Sequence, residues 1–409
     1  MSLEILYWVL GANLLFSFAL SLTVYLLSLK VYRPLIITGK DNKPIDLHKK
    51  YDPFHPHDKI CFIYLWFGAF FCAFIKIIFS ILFPLMLSLN MRILNKFYDC
   101  DTNPVHRKKM KKIVSCYTWL FLIMIGIIPK QKKLDYKNVY KKYLGDDYNF
   151  DDDKYSLIIS NHIGYSDTFL CLFLFSCGFV ARKDVENNFL LGPICKNLKS
   201  LFLDRNNAEC RQKIFELLIE RQKSFYNGTI LNPITIFPEG VNTCGRNIMR
   251  FKKGAFYSLL PVKPVMIIVN QKTNFHLSVG ASNHNLHFAK NLCHFANILY
   301  YSHLPTIRPT EYMFEKYNNL GTKKFEIYAN VVQKIYSEIG GLEESNMGFR
   351  DMKRYIKAMK TGIYDENDLY ESQNENNNKK DEVLEFNFKK EKEKSLLDQD
   401  STIYEIKNC

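Results

Sequence analysis

Nowhere in the 409 residues do two cysteines stand in a C-x-x-C arrangement, although 11 are spread irregularly from Cys61 to Cys409. An odd count without regular spacing excludes a disulfide framework and points to a reducing compartment. The 10 histidines form no zinc signature; His284, His287 and His294, close to Cys293, read as solvated loop histidines, so no metal is expected. The chain also lacks a G-x-S-x-G elbow, the usual nucleophile turn of α/β-hydrolases, and has no internal repeat. Acidic residues are in deficit, 41 against 55 Lys/Arg, for a net +14. Residues 343–409 hold 12 Lys/Arg against 16 Asp/Glu, which leaves the preceding 342 residues with +18. A hydrophobic share of 47% excludes global disorder, and the length suits two domains or one domain with appendages. The basic surplus suits a phosphate-bearing partner: nucleic acid, an anionic membrane or a phosphorylated substrate.

The apolar runs choose among these. Ile5 to Leu29 contains no charge over 25 residues. At about 1.5 Å per residue a helix of that length reaches roughly 37 Å, enough to cross a hydrocarbon core of about 30 Å with tilt. Only Glu4 among ionisable side chains precedes the run, so the basic leader of a signal peptide is missing and an uncleaved anchor is expected. Lys30 and Arg33 follow it directly, which places the N-terminus in the lumen and the rest on the cytosolic side. Ile60 to Met91 is apolar but interrupted by Lys76 and Pro84 and basic on both flanks. A lysine at a helix centre costs about 2.5–3.5 kcal/mol on insertion, so a re-entrant hairpin or paired interfacial helices are expected. Ile113 to Ile128, bracketed by lysines, is too short to span and suits an interface or a domain core. Because the basic residues flank apolar runs, nucleic acid is not an expected partner; a membrane is.

Asp146 to Lys154 is acidic and reads as a linker. From Tyr155 onward, β-rich runs alternate with helical patterns. Strands are predicted at Tyr155–Ser160, Gly178–Ala181, Leu201–Leu203, Ile234–Phe237 and Val262–Val269. Helices are predicted at Asp167–Cys177, Arg211–Tyr226, Phe251–Leu260 and Val331–Ile339. This alternation implies an α/β fold, a mostly parallel sheet flanked by helices and here preceded by membrane-embedded helices. Beyond Ile363 the chain turns to Asn, Glu and Lys and reads as a disordered tail.

The first of these strands is followed by Asn161-His162-Ile163-Gly164-Tyr165-Ser166-Asp167. A turn at Gly164 lets the Asp carboxylate swing back to the imidazole, giving a His general base oriented by Asp with no Ser nucleophile of its own. Further along come Ala181-Arg182-Lys183, Phe202-Leu203-Asp204-Arg205, Phe237-Pro238-Glu239-Gly240-Val241-Asn242-Thr243, Phe251-Lys252-Lys253-Gly254 and Pro261-Val262-Lys263-Pro264. In this order and spacing the set, over about residues 155–270, resembles the glycerolipid acyltransferase family. A later likeness, in His303-Leu304-Pro305, Pro309-Thr310-Glu311 and Tyr328 to Met352, is similar to the lysophosphatidylcholine acyltransferase branch.

The resemblance implies a set of roles. His162 would be the base that deprotonates the acceptor hydroxyl, and Asp167 its orienting partner. Arg205 would hold the acceptor's phosphate, for which a bidentate guanidinium is suited. Glu239, Gly240 and Thr243 would belong to the acceptor-binding box, and Arg182 would supply a basic group where the family often has Lys. Val241-Asn242 departs from the usual Thr followed by Arg or Cys. The implied partners are acyl-CoA as donor substrate, a lysophospholipid and a membrane, with no cofactor, at the endoplasmic reticulum with the catalytic domain cytosolic. Lysophosphatidylcholine is the expected acceptor, ahead of lysophosphatidic acid and glycerol 3-phosphate. A membrane-bound hydrolase using His162 and a non-catalytic lipid-binding protein are the other readings. The chain is expected to divide into an anchor (1–33), a membrane hairpin with interfacial helices (34–133), a catalytic domain (134–363) and a charged tail (364–409).

Overall fold

Seven strands, each short and β-branched or aromatic in composition, line up as one sheet in the computed structural model, which describes residues 3–38, 44–56, 58, 61–204, 207–270, 275–362 and 364. They are β1 (Ile127–Gln131), β2 (Leu157–Ser160), β3 (Gly178–Arg182), β4 (Leu201–Leu203), β5 (Ile234–Ile236), β6 (Val262–Ile268) and β7 (Asn297–His303). The order across the sheet is β1-β7-β6-β2-β5-β3-β4. The run β6-β2-β5-β3-β4 is parallel throughout. β7 turns antiparallel to β6 and carries β1 parallel to itself. A mostly parallel sheet must be covered on both faces, and the alternation along β2 shows how. Ile158 points into a core with Val114, Phe121, Leu122, Leu170 and Cys171, whereas Leu157 and Ile159 point into one with Tyr140, Leu218, Tyr328, Val332 and Tyr336.

The first of those cores is built by α3 (Pro104–Met124) and α5 (Tyr165–Phe175); the second by α4 (Lys137–Leu144), α6 (Ala208–Tyr226) and α8 (Lys324–Gly340), while α7 (His284–Leu292) packs its Leu286, Phe288 and Leu292 into a third cluster with Val24, Leu65, Ala69 and Ala73. Buried tyrosines are abundant in the second core because each hydroxyl finds a carbonyl: Tyr140 reaches Pro305 at 2.7 Å, Tyr328 reaches Ile307 at 2.8 Å and Tyr336 reaches Ile159 at 3.0 Å.

Four expectations change here. The third apolar run takes the second of its two expected places, the domain core, and with β1 it brings residues 104–131 into the sheet domain, ahead of the boundary expected at residue 134. Asp146–Lys154 is no linker: Tyr148 is buried with its hydroxyl on the Thr306 carbonyl at 2.6 Å, and Asp152 pairs with Arg308 at 3.0 Å. Phe251–Leu260 forms only a short turn at Lys253–Ala255, because Lys252 N–H is spent on the Pro238 carbonyl and the Phe251 and Phe256 rings are drawn into the core against Tyr336 and Tyr328. The fourth concerns the apolar helices.

Two helices, α1 (Leu3–Tyr32) and α2 (Phe62–Phe97), are long and apolar enough to cross a membrane. α2 is continuous where a hairpin was expected. Its central Lys76 is not left uncompensated: Nζ donates to the carbonyl of Asn291 at 3.0 Å and to that of His294. Gly68 allows the same approach about two turns earlier, since a Cβ there would lie 1.9 Å from the Cys293 carbonyl oxygen. α1 lies antiparallel against the first half of α2, with Tyr25 beside Phe62, Phe18 beside Trp66 and Asn13 Nδ2 on the Phe70 carbonyl at 3.0 Å. The buried stripe of α1 is small, Ser17, Ser21, Val24 and Ser28, which lets the helices close up; its other faces expose Trp8, Leu15, Leu26 and similar side chains. Where α1 ends, Tyr32 donates to Asp58 at 2.8 Å, and Asp58 accepts from Lys290 of α7 at 2.9 Å. This ion pair is 1% and 2% exposed.

The chain separates into two compact units, Met1–Met352 and Lys353–Cys409. In the second, the described residues of the helix Phe349–Thr361 expose Lys353, Lys357 and Lys360. The expected charged tail lies, from residue 365 on, outside the described residues.

Candidate active site

The carboxyl ends of adjacent parallel strands form a crevice, and in α/β sheets that edge collects functional groups. β2 ends at Ser160 and delivers His162; its neighbour β5 ends at Ile236 and delivers Phe237 and Glu239; β3 ends at Arg182. Asn161 ties the β2 end down by donating Nδ2 to the Ile267 carbonyl at 3.0 Å and accepting from Ile267 N–H at 2.7 Å.

The turn after β2 is set by Gly164, at φ +155°, where a Cβ would lie 2.5 Å from Val279 Cγ2. It brings Asp167, in the first turn of α5, back over the loop. One carboxylate oxygen of Asp167 accepts from Gly164 N–H at 3.0 Å, from Ile163 N–H and from His162 Nδ1 at 3.0 Å. Asp167 is fully buried, whereas the His162 side chain is 24% exposed. With Nδ1–H committed to the carboxylate, the lone pair of Nε2 is the basic site. The imidazole stacks on the Phe237 ring, centroids 4.1 Å apart and planes within 16°. Among the described residues, no Ser or Cys side chain hydrogen-bonds to the His162 ring.

Glu239 comes to the same place, but its role differs from that of a substrate-facing carboxylate. It is buried, and its two oxygens accept from His162 N–H at 2.8 Å and Met249 N–H at 2.9 Å. It therefore clamps the backbone that carries the base. Burial pushes its carboxyl up to about 8 against the pull of those two N–H groups. Thr243 is also a backbone brace: its N–H reaches the His162 carbonyl at 2.9 Å and its Oγ1 accepts from Gly245 N–H at 3.2 Å. Both side chains are turned inward onto the backbone. Gly240, at φ +67°, leaves room for the Lys252 ammonium, which would lie 2.4 Å from a Cβ at that position. Arg182 stands at the exposed edge, bound to Asp184 through Nε at 3.0 Å and Nη2 at 2.8 Å. Arg205 lies outside the described residues.

Three contributors escaped the sequence reading. Phe237 and Met249 serve the base and its clamp, and only the aromatic ahead of Pro238-Glu239 left a signal. The third is His284, at the start of α7, whose Nε2 lies 3.2 Å from Asn242 Nδ2. The reading of solvated loop histidines fails for its two neighbours. His287 and His294 are buried around the Phe275 ring, at centroid distances of 5.0 and 4.4 Å, and desolvation pulls each down to about 4, so they are neutral packing groups.

Residues 137–269 match the model of the Acyltransferase family. Lysophospholipid acyltransferase LPEAT1 of Arabidopsis thaliana is 26% identical over 53% of this chain and 52% of its own length. Lysophosphatidylcholine acyltransferase of Drosophila melanogaster is 24% identical over 48% of this chain and 35% of its own length. The chain thus spans about half, or less, of the curated relatives it matches. The crystal structure of the 1-acyl-sn-glycerophosphate acyltransferase PlsC from Thermotoga maritima aligns with a TM-score of 0.40 at 15% identity, over 68% of this chain and 92% of that chain.

Proposed function

We propose that the protein transfers a fatty acyl chain from acyl-CoA to the free hydroxyl of a lysophospholipid. The observation that carries the reading is the His162–Asp167 pair, with the His162 side chain part-exposed and, among the described residues, no hydroxyl or thiol nucleophile hydrogen-bonded to the ring. Such a pair suits direct transfer. His162 Nε2 takes the acceptor's hydroxyl proton as the oxygen attacks the thioester carbonyl. The tetrahedral intermediate then collapses, the C–S bond breaks, and the departing CoA thiolate takes the proton back from His162 to leave as the thiol. Asp167 keeps the ring in the Nδ1–H tautomer and stabilises the imidazolium between the two transfers. No cofactor or metal takes part.

The names of the relatives support a lysophospholipid acceptor, and the later likeness supports lysophosphatidylcholine first, lysophosphatidic acid second and glycerol 3-phosphate last. α1 and α2 support work at a membrane surface, where a lipid acceptor can stay in the bilayer. We place the protein in the endoplasmic reticulum with its catalytic domain cytosolic. Membranes containing the protein, incubated with one labelled acyl-CoA and each of the three acceptors, are expected to label phosphatidylcholine most strongly. A preference for glycerol 3-phosphate would reverse the acceptor ranking, and an acyl group trapped on any Ser or Cys would overturn direct transfer. In sealed microsomes, protease should remove residues 365–394 without detergent if the orientation is right.

A further inference from the structure

The loop from Glu239 to Thr243 holds the His162 backbone through Glu239 and Thr243, and its Asn242 side chain reaches across to α7. Asn242 is almost wholly buried, directly before the residue whose N–H holds the His162 carbonyl. Its Nδ2 faces Nε2 of His284 at 3.2 Å, and a donating Nδ2 leaves the ring proton of His284 on Nδ1. The imidazole sits at the exposed rim of the site, at the first residue of α7, with Asn283 capping the helix through Asn285 N–H at 2.8 Å. Loss of hydration lowers its affinity for a second proton. His284 is therefore a neutral imidazole joined through Asn242 to the loop that holds the His162 backbone.

If the acceptor hydroxyl lies on His162 Nε2, the nearest strongly accepting group of a lysophospholipid is its phosphate, one glycerol carbon further along. The phosphates of acyl-CoA are held away from the thioester by the whole pantetheine arm. Resting on the acyl-transfer reading above, we propose that His284 is an acceptor-binding residue that donates its Nδ1–H to a phosphate oxygen of the lysophospholipid, with Asn242 fixing the tautomer that makes this possible.

The test uses the full chain in mixed micelles of detergent and phospholipid. His284→Ala should lower kcat/KM for lysophosphatidylcholine about 10- to 100-fold, through KM, and leave KM for acyl-CoA unchanged. His284→Asn returns an N–H near the Nδ1 position and should recover most of the loss; His284→Gln, which places its amide near Nε2, should not. A rise in acyl-CoA KM instead would assign the contact to the donor's phosphates and overturn the proposal. So would a fall in kcat at constant KM, or equal recovery by Asn and Gln. Equilibrium binding of lysophosphatidylcholine to His162→Ala, with and without His284→Ala, reads the same contact without turnover. Absence of turnover by the unaltered chain would defeat the acyl-transfer reading, while unchanged binding on loss of His284 would defeat this one.

Discussion

Asp167 and Lys76 are both ionisable side chains shut away from water, one at the catalytic turn and the other midway along an apolar helix, and neither relies on a counter-ion alone. The carboxylate is met by the N–H groups of Ile163 and Gly164, the ammonium by the carbonyls of Asn291 and His294. Backbone dipoles are a good partner for a buried charge because they are rigid and already desolvated by the fold. The two sites then diverge. Asp167 also meets the Thr168 hydroxyl and the imidazole of His162, and the imidazole can gain and lose a proton; the partners of Lys76 cannot. A buried charge ringed only by fixed dipoles holds shape, and one with a titratable neighbour can also support chemistry. The pair Asp58–Lys290 is a third case, a buried charge answered by its opposite, and it joins the end of α1 to α7.

The largest effect should come at the catalytic turn. His162→Ala is expected to lower kcat by about 10²–10⁴, or roughly 2.7–5.5 kcal/mol, with the melting temperature unchanged, because only the titratable member of the arrangement is lost. Steady-state assay and thermal melting of the same preparation would show whether chemistry and shape separate this cleanly. Lys290→Met should act in the opposite sense, destabilising by about 3–5 kcal/mol through the stranded Asp58 carboxylate, while activity per folded molecule is retained. Adding Asp58→Leu should recover much of that loss in the melt; no recovery would mean the pair is not the origin. For Lys76→Met, two carbonyls lose their donor, and a cost of about 1–3 kcal/mol is expected in detergent unfolding.

The smallest effect concerns Glu239 and pH. Its carboxyl is raised in the folded protein from 4.5 to about 8. The stability it contributes is therefore complete below pH 4.5 and is lost as pH climbs through about 8, because the unfolded chain ionises first. The melting temperature of the unaltered protein should fall across that window more than that of Glu239→Gln. Parallel curves would show that the two backbone N–H groups keep the carboxylate charged throughout.

Strand positions were legible because buried parallel strands are short β-rich runs cut off by turn residues, as at Leu157–Ser160 and Ile234–Ile236. The pairing of His162 with Asp167 was legible because Gly164 and Asp167 act within one turn of chain. What could not be read depended on distant partners. Lys76 looks like a break in an apolar run until the carbonyls at residues 291 and 294 are in place. Glu239 looks like a substrate contact because a sequence does not distinguish a carboxylate facing a cleft from one facing two N–H groups. His284 gave no signal, since its link to Asn242 spans 42 positions. Phe251–Leu260 has a helical pattern, yet tertiary packing of its two phenylalanines overrides the local preference.

The separation between Lys76 and its first acceptor, Asn291, has a consequence for biosynthesis. The two are 215 residues apart. At about 5–20 residues per second, the ribosome needs roughly 10–40 s to make the acceptor after it has made the lysine. Throughout that interval α2 presents an unanswered charge to whatever receives it. That lysine must be solvated or otherwise covered until α7 has been made and folded. The docking of α2 on the carbonyls of residues 291 and 294 is in this sense a late event of synthesis, timed by a segment far downstream, and a nascent chain stalled before residue 291 should leave Lys76 open to amine-reactive reagents where the finished protein does not.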